Sequence, residues 1–441
     1  MRRPRSHIRR ALLPLAAALA VLLLAGCGPT VEVVVAVPPS PSANQMVVGV
    51  THNEFTIGKI TASTPRSTEL AILSQIPVQN TFLMGWGVGN PEPSPGVYDW
   101  TYLDQRIALI QSTGAEPVLT LCCAPDWMKG GAAGTTDWTQ LTVAPQAAHF
   151  QDFADLAAAA ARRYPQVKKF QVWNEMKGFY DPVTNNWDSV TFTNFYNIVY
   201  TAVKAARPDA QVGGPYAPLD LWSSAQTMSH PSNVSGPWGV VDKRPLDLLE
   251  YWLAHKVGAD FVTLDGWTKT RDQQFITDPY TSTDVYLVMT QWLRQRTNLP
   301  IWWSEFHAAD PSWSQAKQDA VTTLALSKMA QGGASMALLW SPQSDGTSCT
   351  SCLWTDPALG AATMTPFAQS VAMWRRCLPV GAAWRATQSA DPNQVAAFGT
   401  DRGTVVINRS TGVLNAKVGE QTVPLGVDGV GVAATDPGCS R

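Results

Sequence analysis

Positive charge is scarce where a nucleic-acid partner would need it. The chain carries 32 Lys and Arg against 34 Asp and Glu, a formal net charge of −2. Arg2, Arg3, Arg5, Arg9 and Arg10 stand at the extreme N-terminus with no acid among them, so the remainder sums to −2 − 5 = −7. Neutralising phosphates takes clustered Lys and Arg, so this balance argues against nucleic acid as a partner. Histidine is also scarce: there are six, scattered along the chain. A metal-dependent barrel hydrolase wants His-x-His on its first strand plus further His or carboxylate ligands, and the first strand candidate offers only "THNE" (51–54). The CxxC at Cys349–Cys352 has no second CxxC or His pair to complete a zinc site. No metal and no cofactor is therefore expected. The apolar run "ALLPLAAALAVLLLAG" (11–26) falls short of the roughly 20 residues a permanent span requires.

That run follows the basic leader "MRRPRSHIRR" and ends at Cys27, so residues 1–27 read as a targeting segment outside the fold. Leu24-Ala25-Gly26-Cys27 resembles the lipobox of bacterial lipoproteins, which implies that Cys27 is lipidated and becomes the mature N-terminus. "GPTVEVVVAVPPSPSANQ" (28–45) reads as a Pro/Ser-containing tether. The expectation is an exported protein held by its lipid on the outer face of the bacterial cell membrane. Six further cysteines, Cys122, Cys123, Cys349, Cys352, Cys377 and Cys439, suit disulfides in an oxidising compartment. Spacing favours Cys349–Cys352 within a loop and Cys377–Cys439 tying back the C-terminus. The adjacent Cys122 and Cys123 fit either a vicinal disulfide or two buried thiols.

From residue 46 onward, short β-branched or apolar runs alternate with amphipathic stretches. The strand candidates are 46–52, 81–87, 116–123, 169–175, 210–216, 260–267, 301–307 and 335–341. Helical spacing fills most of the intervals, as in Phe150, Phe153, Ala157, Ala160 and Tyr164, or Phe192, Phe195, Val199 and Val203. Eight strands alternating with helices predict a (β/α)8 TIM barrel over 46–378, with loop-like inserts after strands three and five on its C-terminal face. From 379 to 441 the chain turns to short alternating strands with Gly-rich turns, a small all-β, sandwich-like module.

In such a barrel, polar residues at the C-terminal strand ends are the candidates for chemistry. Glu175 ends strand four and Glu305 ends strand seven. Strands four and seven lie nearly opposite each other, so both carboxylates can lean over the central cavity. Retaining glycoside hydrolysis needs such a pair, one acid/base and one nucleophile, about 5–5.5 Å apart. Eighteen tryptophans add support, since a broad apolar ring with one N–H suits a sugar face. Strand ends also supply His52, Trp86, Trp127, Tyr216, Trp267, His307 and Trp340 as candidates for sugar binding.

"WNE" (173–175) and "WSE" (303–305) resemble the acid/base and nucleophile motifs of the clan A retaining glycosidases. "YDWTYLDQRIALIQSTGAEPVLTL" (98–121), "GGPY" (213–216) and "DFVTL" (260–264) are similar to family 39, the β-xylosidase and iduronidase group. The resemblance implies Glu175 as acid/base, Glu305 as nucleophile, Asn174 on the sugar 2-hydroxyl and Trp340 as a platform, with an oligo- or polysaccharide substrate. It leaves open an endo-acting, arabinoside- or galactoside-specific enzyme, or a degenerate glycan-binding lipoprotein. Three departures matter. Asp265 stands where the family often has histidine, and Met176 stands where many clan members have proline. Lys177, if close, would hinder protonation of Glu175, so it is expected to point away or bind substrate. Strict alternation would also send Asn174 and Glu175 to opposite faces, so a kink is expected at this strand end.

Overall fold

The structure is a computed structural model that describes residues 28–40, 42–57, 67–343, 349–355 and 362–441; the leader and Cys27 lie outside these. The chain divides into two compact units, Ala43–Gly381 and a second that joins residues up to Ser42 with Ala382–Arg441.

The larger unit is a closed barrel of parallel strands. In chain order they are Val47–Thr51, Val78–Phe82, Glu116–Leu121, Lys169–Val172, Gln211–Leu219, Phe261–Trp267, Ile301–His307 and Met336–Trp340, called strands one to eight below. Each pairs with its sequence neighbours, and strand eight closes on strand one through Met336↔Val47 to Trp340↔Thr51. Helices cover the outside. Phe150–Arg163 turns Phe150, Phe153, Ala154, Ala157 and Ala161 inward at three-to-four spacing, the apolar stripe that a sheet-facing helix needs. Side chains cap several of the starts: Asp188 accepts from Thr191 N, Ser314 from Lys317 N, and Thr365 from Ala368 N ahead of Pro366. Among the described residues, no helix is long and apolar enough to cross a membrane.

Two layers fill the barrel. Val78, Val118, Phe261, Trp302, Met336 and Leu338 form an apolar cluster, with Phe261 and Trp302 stacked at 3.5 Å. A second layer is polar. Ser304 Oγ donates to Gln171 Oε1 (2.6 Å), Gln171 Nε2 to Thr120 Oγ1 (2.5 Å), Thr120 Oγ1 to Asn80 Oδ1 (2.9 Å) and Asn80 Nδ2 to Thr51 Oγ1 (3.2 Å). These groups are buried, so each bond removes a desolvation cost that an orphan would carry. The chain of bonds ties strand seven to strand four just before Glu305 and Glu175.

The loops after strands three to five acquire structure of their own. A hairpin, Tyr180–Asp181 with Asn186–Trp187, follows strand four. The insert after strand five is a three-stranded sheet of Leu221–Trp222, Pro231–Gly236 and Gly239–Asp242. Gly178 has φ +83°, and a Cβ there would overlap Ala144 N and Thr142 O. The insert after strand three therefore folds directly against the segment that follows Glu175.

The smaller unit is a seven-stranded all-β sheet. Its one surprise is Thr30–Ala36, which lies between Leu414–Val418 (parallel) and Trp384–Ser389 (antiparallel). This part of the predicted tether is thus a strand. Val31 and Val33 alternate into a core with Val395, Val406, Leu414, Ala416 and Leu425, a period-two signal that the adjacent prolines obscured.

Candidate active site

Strand four ends in a kink. Trp173, Glu175 and Met176 all have positive φ (+68°, +46° and +52°), a region sparsely used by residues with a side chain. Packing holds them there. The Trp173 indole is buried among Phe153, Phe179 and Phe195, and its Nε1–H donates to Lys177 O at 2.7 Å. A proline at position 176 could not adopt the +52° φ of Met176, so the turn is held by this packing and not by the extended geometry a proline would impose on Glu175. Asn174 and Glu175 then serve one side: Asn174 Nδ2 donates to Glu175 Oε1 at 3.1 Å.

Two bulges deliver the opposing groups. The strand six–seven register shifts between Leu264 and Asp265, giving strand seven one extra residue. Ser304 can therefore join the interior polar layer while Glu305 still faces the cavity beside Asp265. The strand five–six register shifts between Thr263 and Leu264, and the extra residue is Tyr216, at φ +59°. Its hydroxyl donates to Glu305 Oε2 at 2.9 Å, and His307 Nε2 lies 2.9 Å from Glu305 Oε1. Both Glu305 oxygens thus face a donor, with the His307 proton placed on Nε2, an arrangement that an acceptor-only carboxylate fits.

Electrostatics separate the groups. Burial pushes the Glu175 carboxyl above its ordinary range and the charge of Glu305 adds to this. Lys177 and the hydrogen bonds from Lys177 and Asn174 pull the other way without cancelling it. Lys177 does not point away: Nζ sits 2.8 Å from Glu175 Oε1. The turn through Glu175 and Met176, closed by Lys177 N–H to Asn174 O at 3.1 Å, folds the lysine back over its neighbour. Asp265 is 4 % exposed, and burial followed by the charges of Glu305 and Glu175 raises it well above the carboxylate range. Its Oδ1 has no hydrogen-bond partner among the described residues. Burial likewise raises Tyr216, keeping it a hydroxyl donor.

Aromatic rings line the mouth. Trp86, at φ +45°, meets Phe82 at 4.2 Å and Trp340 at 6.2 Å, and Lys177 Nζ lies 5.9 Å from its ring centroid. Trp267 stacks on His307 at 4.0 Å. Two predicted sugar contacts are placed differently. His52 is fully buried and bonded through Nε2 to Gln79 Oε1 at 2.9 Å; burial and the nearby Arg106 lower it to about 3, so it is a neutral core histidine. Trp127 donates to Glu92 O at 2.9 Å and meets His149 edge-on, contacts of the outer loops rather than of the carboxyl groups.

Asp265, Glu305 and His307 bring potential ligand atoms within 4.8 Å of one another, the grouping that could hold a metal ion among the described residues. Cys122 and Cys123 form a vicinal disulfide just past strand three, and Cys349 is bonded to Cys352. Cys377 and Cys439 are each buried.

Solved structures share this fold. A glucosidase from Croceicoccus marinus is 14% identical, with 91% of this chain and 98% of that one covered and a TM-score of 0.57. A GH39 β-xylosidase from Caulobacter crescentus is 16% identical over 88% of this chain and 83% of that one, TM-score 0.56. The GH39 enzyme from Xanthomonas axonopodis pv. citri is 16% identical over 86% and 75%, TM-score 0.56. No curated protein matches in sequence. The barrel, with its acidic cavity at the C-terminal strand ends, is that of a glycoside hydrolase. Within that class the chain belongs to the glycosyl hydrolases family 39, whose family model matches residues 90–333.

Proposed function

We propose that the protein is a retaining β-glycosidase that cleaves glycan chains at β-xyloside-type linkages, with Glu305 as nucleophile and Glu175 as acid/base. A Glu305 oxygen attacks the anomeric carbon while the C–O bond to the leaving group breaks, and the Glu175 proton passes to the departing oxygen. Water then gives a proton to Glu175, its oxygen bonds to the anomeric carbon, and Glu305 leaves as a carboxylate. The observation that carries this reading is the asymmetry of the pair. Glu175 is partly buried and its carboxyl is raised, which favours the protonated acid, whereas Glu305 accepts from the Tyr216 hydroxyl and lies 2.9 Å from His307 Nε2. Asn174 is offered to the sugar 2-hydroxyl, and its Oδ1 has no hydrogen-bond partner among the described residues. Trp340 and Trp86 supply apolar ring surface at the mouth. The lipobox-like segment ending at Cys27 supports export and lipid anchoring at the membrane surface.

A panel of aryl glycosides tests the roles. Glu175→Gln should cost about 10²–10⁴-fold with poor leaving groups, which need a proton, and far less with 2,4-dinitrophenyl glycosides, which do not. An equal loss with both would remove Glu175 from the acid role.

A further inference from the structure

The two glutamates account for bond cleavage, but not for the groove that leads away from them. This groove, with a cavity volume of about 380 Å³, is lined by Phe55, Trp267, Lys269, His307, Trp340 and Gln343 among others. These residues come from the ends of strands six, seven and eight and from the loop after strand one. Glu175 belongs to strand four, on the other side of the mouth. An acid/base must reach the glycosidic oxygen, so the leaving group lies toward Glu175 and the retained sugar toward Glu305. The groove begins at His307, bonded to Glu305, and so continues in the direction of the retained sugar.

Its lining suits a sugar. Trp267 has one face stacked on His307 yet remains 43% exposed, which for so large an apolar ring marks an available surface. Trp340 stands at the junction with the central cavity, its ring edge-on to Trp86. Lys269 Nζ is held by Asp310 Oδ2 at 2.6 Å, so its charge is already matched and a neutral ligand fits better than an anion. The disulfide-bonded Cys352 borders the same space.

We propose that this groove is a second glycone-side subsite, binding the next sugar of a neutral β-linked chain, so that the enzyme releases a disaccharide or longer unit instead of a single terminal sugar. The proposal rests on the assignment of Glu175 and Glu305 above. Kinetics on the whole mature chain with 4-nitrophenyl β-xyloside and β-xylobioside, and with the β-glucoside and β-cellobioside pair, tests it. In the preferred pair the disaccharide glycoside should have a kcat/KM about tenfold higher or more, with intact disaccharide released, because binding remote from the bond is used in the transition state. Trp267→Ala should lower that disaccharide-to-monosaccharide ratio about fivefold or more, and Trp267→Phe should restore most of it. A ratio near unity, or one that Trp267→Ala leaves alone, overturns the subsite. If none of these glycosides is hydrolysed, the glycosidase assignment fails separately. The groove is then judged by titration with xylohexaose and cellohexaose. Binding weakened by Trp267→Ala upholds it, whereas unchanged or absent binding overturns it.

Discussion

Replacing Tyr216 with phenylalanine removes one hydroxyl and leaves the buried ring in place. That hydroxyl donates to Glu305 Oε2 at 2.9 Å and also lies 3.4 Å from Ser304 O. A hydrogen bond to a charged group contributes about 1.5–3 kcal/mol. At about 1.4 kcal/mol per factor of ten, its loss is worth roughly ten- to a hundredfold in rate. The loss should not fall evenly on the two chemical steps. In glycosylation the carboxylate gives up charge, so the bond weakens toward the transition state. In deglycosylation the departing carboxylate regains charge, so the bond strengthens toward it and its removal slows that step. Tyr216→Phe should therefore accumulate the glycosyl-enzyme. With a 2,4-dinitrophenyl glycoside, stopped-flow absorbance should show a burst of dinitrophenol near one per enzyme, then a steady state slowed by that factor. KM should fall along with kcat. An unchanged kcat without a burst, or a loss in kcat/KM alone, would refute this reasoning.

Lys177→Met removes the cation 2.8 Å from the acid, which lowers the Glu175 pKa. The acid should then hold its proton to higher pH, and the alkaline limb of the kcat/KM profile should move upward; an unmoved limb contradicts the pairing. Asp265 is raised in the folded state, so the fold binds a proton there that the unfolded chain releases above a pKa of about 3.9. Stability from this group is complete below that value and declines as pH rises toward its folded pKa. Asp265→Asn should therefore gain in Tm relative to the parent at pH 8 but not at pH 3, as read by calorimetry.

Much of this arrangement is legible in the sequence because barrel strands are short, apolar and separated by helices of clear period. "IWWSEFH" and "DFVTLDGW" match the observed strands seven and six closely, so Glu305 and Asp265 could be placed at strand ends by inspection. Strand two was expected at 81–87 and lies at Val78–Phe82. Its Gln79 and Asn80 are buried but hydrogen-bonded, and a pattern of apolar residues does not reveal a polar interior layer. The helix Gln315–Gly332 stood outside the strongest periodic stretches, since Thr, Ser and Ala are buried around most of its circumference. His52 looked like a strand-end ligand because sequence shows that a residue follows a strand, not which way it turns. For Lys177, charge alone suggested separation from the acid. The kink at Glu175 and Met176 brings them together, and burial outweighs the lysine.

The central claim is that Glu305 forms the covalent bond to sugar. A 2,4-dinitrophenyl 2-deoxy-2-fluoro-β-xyloside, or the corresponding glucoside if the panel prefers it, should inactivate the enzyme and trap that bond. Tandem mass spectrometry of the tryptic peptide TNLPIWWSEFHAADPSWSQAK, residues 297–317, should then place the fluorosugar on Glu305. Labelling of Glu175 or Asp265 instead, or no label on an enzyme that turns over the matching unfluorinated glycoside, would contradict the account.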